Sequence, residues 1–67
     1  MNEKKRIARA LAKALIALDL ADWRARDWKV MSNCIREARL LTANLFTSTG
    51  YEFSDRGGSH IRRRRNA

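Results

Sequence analysis

The chain has 67 residues, 45% of them hydrophobic, and its 15 Lys and Arg against 7 Asp and Glu give a formal charge of +8. That length admits one small domain, and a single cysteine excludes an internal disulfide. No apolar run approaches the roughly 18 residues of a membrane span and no secretory leader is visible, so the expectation is a soluble cytoplasmic protein with no membrane role.

Proline is absent and the first glycine is Gly50. Nothing between Asn2 and Phe46 therefore breaks a helix, and Ala, Leu, Arg and Lys, all strong helix formers, dominate the segment. Asn2 suits an N-cap, and Glu3 suits the positive first turn. Lys4, Lys5, Arg6 and Arg9 oppose that dipole, which points to a task other than local helix stability. Ile7, Leu11, Leu15 and Leu18, at steps of four, four and three, form one stripe flanked by Ala8, Ala14 and Ala21. Lys5, Arg9 and Lys13 line the far side at steps of four.

The stripe loses register around residues 18–26, and Asp22 before Trp23 reads as the N-cap of a second helix. The prediction is an antiparallel hairpin, helix 2–19 and helix 22–47, turning between Asp19 and Asp22. The alternative is one unbroken helix about 65 Å long. In the second helix Met31, Cys34, Ile35, Ala38, Leu41 and Leu45 fit an apolar seam, with Cys34 read as a small core residue. Trp23 is expected to pack against the turn. Ile16, Leu20, Trp28 and Leu40 fall outside both seams and are the candidate protein interface.

Gly50 fits the end of the second helix. Tyr51 and Phe53 alternate with polar residues, so this piece is expected to fold back on the hairpin and close a domain of residues 1–53. Gly57, Gly58 and Ser59 read as a joint, and residues 54–67 as a flexible Arg-rich tail. The fold class is thus all-α. Two hairpins, each with an open apolar back, would close as a homodimeric four-helix bundle.

Charge is uneven: the net is +4 over residues 1–18, +1 over 19–46 and +3 over 47–67. In an antiparallel hairpin the two cationic ends meet at one pole. Guanidinium and ammonium groups gathered there can contact phosphates and release counterions, which gives affinity without sequence reading. The candidate nucleic-acid-binding residues are Lys4, Lys5, Arg6, Arg9, Lys13, Arg62, Arg63, Arg64 and Arg65. DNA and RNA fit equally, and an acidic host protein surface is the competing partner.

Catalytic chemistry finds no foothold. His60 stands alone without a second His or Cys at metal-ligand spacing. Gly57 and Gly58 follow no strand pattern and lack the Lys of a phosphate loop. No cofactor is implied. The composition points to a non-catalytic dimeric nucleic-acid-binding regulator of low sequence specificity. The alternative is a protein-binding inhibitor or adaptor that occupies a host protein's surface. The size and two-helix plan are similar to those of small plasmid- or phage-borne regulators, although no motif identifies a family.

Overall fold

Asn2 opens the first helix as the sequence predicts. Its backbone is extended, its side-chain oxygen accepts the Lys5 N–H at 3.3 Å, and Glu3 occupies the first turn. From there α1 runs Glu3–Arg24 in the computed structural model, which describes residues 2–65. A turn at residues 25–28 leads into α2, Lys29–Ser48. Two short strands follow, β1 at Tyr51–Phe53 and β2 at Ile61–Arg63. The expected helical hairpin is present, with a small antiparallel sheet added to it that pairs Tyr51 with Arg63 and Phe53 with Ile61.

The turn lies later than expected, and Asp22 does not cap the second helix. Ala21 and Ala25 are good helix formers, so nothing stops α1 at residues 19–22. Asp22 instead sits in the last turns of α1, where its carboxylate accepts the Ser32 hydroxyl at 2.7 Å and the Arg36 Nε at 3.5 Å. Trp28 takes the N-cap position of α2 with no side-chain hydrogen bond. Trp23 is exposed, and it meets the turn through the Arg26 guanidinium, which lies 4.4 Å from its ring centroid.

The apolar core is small and sits at the pole where α1 begins and α2 ends. It gathers Ala8, Ala12 and Leu15 of α1, Phe46 of α2, Tyr51 of β1 and Ile61 of β2. Ala8 and Ala12 are wholly buried, and their small side chains let the strands approach the helix. Phe53 closes this pole, its ring 5.1 Å from that of Phe46. Toward the turn the helices are joined by polar groups instead. Asp22 meets Arg36, and Asp19 meets Arg39. Each step of three along α1 is thus matched by a step of three back along α2, which sets the antiparallel register.

The seam predicted for the second helix is rotated out of the core. Met31, Cys34, Ala38, Leu41 and Leu45 are exposed, and of that set Ile35 alone is half-buried. The buried side carries Ser32 and Phe46, with Thr42 and Ala43 half-buried beside them. Two contacts hold that rotation: Phe46 fills the space over the α1 alanines, and Ser32 engages Asp22. Cys34 is therefore not a core residue. On α1, Leu15 is buried and Leu11, Ala14, Leu18 and Ala21 are half-buried, while Ile7 is exposed.

The stretch expected to be a flexible tail contains a strand. Ile61 is buried, and the Arg64 N–H donates to the Gly50 carbonyl at 2.8 Å, so the chain is tied down on both sides of β2. Gly57 and Gly58, with φ of +81° and +56°, turn the chain between the strands rather than acting as a loose joint. Asn66 and Ala67, the end of that expected tail, lie outside the described residues. Gly50 does end α2, with φ +83° and its N–H donating to the Thr47 carbonyl at 3.1 Å.

Candidate nucleic-acid interface

Helical spacing gives the basic row of α1 its geometry. Lys5, Arg9 and Lys13, four residues apart, share one exposed side of α1. The row lies one residue round from Ala8 and Ala12, on which the strands rest. Of the two helices β2 touches α1 alone, whereas β1 touches both. The strand carrying the Arg run therefore lies against the N-terminal half of α1. Arg63 pairs in register with Tyr51, whose hydroxyl accepts the Asn2 side-chain amide at 2.9 Å, so the run meets the very start of the helix.

The nine basic residues expected to act together do not play one part. Arg62 is committed to the sheet: its Nε donates to Glu52 at 2.8 Å, and its Nη1 donates to Asp55 at 3.4 Å. These carboxylates raise its pKa further, the Glu52 hydrogen bond contributing most. The expectation that Arg62 belongs to a flexible tail free to contact phosphates thus fails. Arg6 faces Glu3 at 3.6 Å. Lys4 is on another side of α1, at the rim of an apolar groove with Ile7, Leu11 and Leu45. Lys5, Arg9, Lys13, Arg63, Arg64 and Arg65 remain, all exposed and, among the described residues, in no ion pair.

The expected protein-interface residues, Ile16, Leu20, Trp28 and Leu40, are all exposed. Ile16 and Leu20 continue the Lys5–Arg9–Lys13 row by steps of three and four, so this side of α1 turns from basic to apolar along its length. Leu40 stands apart on α2 beside the Asp19, Asp22, Arg36 and Arg39 cluster.

That cluster is what the reading of the sequence missed. Its signal was available: two acids three residues apart in one helix and two arginines three residues apart in the next. Ser32 adds a hydroxyl at the same place. The Ser32 hydrogen bond, with Arg36 and Arg39 nearby, holds the Asp22 carboxyl below its ordinary 3.8 against the opposing effect of partial burial.

Among the described residues no three His, Cys, Asp or Glu side chains gather as metal ligands, and no helix is long and apolar enough to cross a membrane. No protein-family model matches the chain, and no curated protein or solved structure is significantly similar to it.

Proposed function

We propose that the protein is a non-catalytic binder of nucleic acid that grips the phosphate backbone with little regard to sequence. One observation carries this reading: β2, which opens onto Arg64 and Arg65, lies against α1, the helix that carries Lys5, Arg9 and Lys13, and among the described residues no carboxylate pairs with any of these three or with Arg63, Arg64 and Arg65. Such a surface suits phosphates, since each contact releases condensed counterions. The carboxylates that would repel a polyanion are mostly tied to other cations: Glu3 to Arg6, Asp19 to Arg39, Asp22 to Arg36, and Glu52 and Asp55 to Arg62. A regulatory role in the cytoplasm and a homodimer closing a four-helix bundle belong to the same reading.

The test is an anisotropy titration of short duplex DNA and single-stranded RNA with the full chain, at about 50 and 200 mM salt. The expected result is binding that collapses at the higher salt, and that is lost at the lower salt when Arg63, Arg64 and Arg65 are all changed to Ala. Absence of binding by the unaltered chain at the lower salt overturns the reading.

Exposed Trp28 and Leu40 favour a second reading, a protein-binding inhibitor that occupies a partner's surface. Loss of biological activity in Trp28→Ala with nucleic-acid binding intact is its signature.

A further inference from the structure

Parts of the two stripes found in the sequence come together on one open side of the hairpin, although Leu15 of the first is taken into the core. Ile7 and Leu11 of α1 line a single groove with Leu45 of α2, and no strand residue borders it. Along α2 the exposed residues Met31, Cys34, Ala38, Leu41 and Leu45 follow steps of three, four, three and four. That is the heptad spacing of a seam that packs on another helix. Yet α1 packs on the neighbouring arc of α2, the one carrying Ser32 and Phe46, which leaves the seam without a partner inside the chain.

We infer that this face is covered by a second copy of the chain, packed antiparallel across a two-fold axis that passes between Ala38 and Leu41. The inference rests on the homodimer of the reading above and not on its nucleic-acid ligand.

Area supports a second copy. Ile7, Val30, Met31, Leu41 and Leu45 are between 37% and 71% exposed. With half-buried Leu11, Ala14 and Leu18 they offer on the order of 600 Å² per copy, approaching the roughly 800 Å² per partner of a standard interface.

Shape supports the antiparallel sense. The seam is bulky at Leu41 and Leu45 and small at Cys34 and Ala38. About the stated axis Leu45 faces the partner's Cys34, and Leu41 faces the partner's Ala38, so every layer joins a large residue to a small one. Parallel packing would set Ala38 on its own copy and Leu41 on its own copy, leaving one end loose and the other crowded.

Charge supports the same sense. Lys5, Arg9 and Arg63 to Arg65 crowd the pole where α2 ends, at one end of a molecule 40 Å long. Antiparallel pairing sends the two cationic poles to opposite ends, whereas parallel pairing would stack them. Glu3, the acid that lines the groove among the described residues, already faces Arg6.

Cys34 is the only thiol in the chain, which makes the arrangement directly readable. Two copies of Cys34 would lie about 18 Å apart in the antiparallel pair. That separation is well beyond the about 7 Å Cα limit for a disulfide.

The experiment is sedimentation equilibrium of the full chain, followed by copper-phenanthroline oxidation and a denaturing gel. The expected results are twice the monomer mass in sedimentation, no covalent dimer from the unaltered chain, and a covalent dimer from Leu45→Cys. The double variant Leu45→Cys with Cys34→Ala should lose that covalent product. Position 45 is exposed, so the fold does not depend on it, and circular dichroism of each variant confirms this. A monomer at about 100 μM overturns the inference together with the homodimer. Rapid Cys34 disulfide formation in a dimeric unaltered chain overturns the antiparallel sense alone, as does failure of Leu45→Cys to cross-link. The nucleic-acid reading is judged by its salt titration in every case.

Discussion

Asn2 and Tyr51, 49 residues apart, are joined by a hydrogen bond from the Asn2 side-chain amide to the Tyr51 hydroxyl at 2.9 Å. The same Asn2 side chain caps α1 through its oxygen, so one residue both starts the first helix and fastens β1 to it. Tyr51→Phe removes only the fastening and should cost about 1 kcal/mol in urea unfolding. Asn2→Ala removes the cap as well and should cost more, up to about 2 kcal/mol. The double variant should fall short of the sum, because the two share one interaction.

Asp22 ties acid stability to the helix–helix register. Its pKa is lower in the folded chain than its ordinary 3.8, through the Ser32 hydroxyl first and then Arg36. The unfolded chain therefore takes up this proton more readily than the folded one. The contribution is in place above the unfolded value and is lost as pH falls through the folded one. Stability measured by circular dichroism from about pH 5 to about pH 2 should fall less steeply in Asp22→Asn than in the unaltered chain.

Arg62 and its neighbours should separate by assay. Changing Arg63, Arg64 and Arg65 to Ala removes up to three phosphate contacts, and the slope of log affinity against log salt for duplex DNA should shrink by up to about 2.7. Arg62→Ala should leave that slope nearly unchanged, since Arg62 is held by Glu52 and Asp55. It should instead weaken the sheet, seen as faster exchange of the Ser54 amide, which donates to the His60 carbonyl in the turn between the strands.

Gly50 holds a left-handed backbone where α2 hands over to β1. A Cβ there would meet nothing within 4 Å, so any cost of Gly50→Ala comes from the backbone and not from a clash. Urea unfolding should show a loss of about 1–2 kcal/mol. Asn, which tolerates this conformation better, should recover part of it.

Duplex length should matter if the antiparallel pair binds DNA. About the two-fold between Ala38 and Leu41 the ends of α2 at Ser48 lie about 26 Å apart along the helix, and the basic groups that lie beyond them extend the span toward one duplex turn of about 34–36 Å. A duplex of about 8 base pairs reaches one pole, whereas one of about 18 base pairs reaches both. The longer duplex should bind more tightly per site, and Leu41→Lys, which breaks the pair, should abolish the difference.

Some of this architecture could be read from composition and spacing. The absence of Pro, and of Gly before Gly50, left two long helices as the economical reading, and Asn2 and Gly50 marked the outer ends. The cationic ends were visible as charge counts, and a hairpin brings them to one pole. The inner ends were misplaced because Asp22 serves as well for a carboxylate inside a helix as for a cap. Its partner Ser32 lies in the next helix, beyond the reach of any local pattern.

The sequence by itself determined that each helix has an apolar arc and that the charge collects at the chain's two ends. Periodicity locates such an arc but carries no statement of what will cover it. Only the tertiary structure decided that α2 turns Ser32 and Phe46 inward and Met31, Cys34, Leu41 and Leu45 outward. It also decided that Ile61 anchors the Arg run as a strand and that Arg62 is taken by Glu52. The reason is the same throughout. Packing chooses among faces by shape and by polar partners many residues away, and neither is encoded in the spacing of the residues on the helix itself.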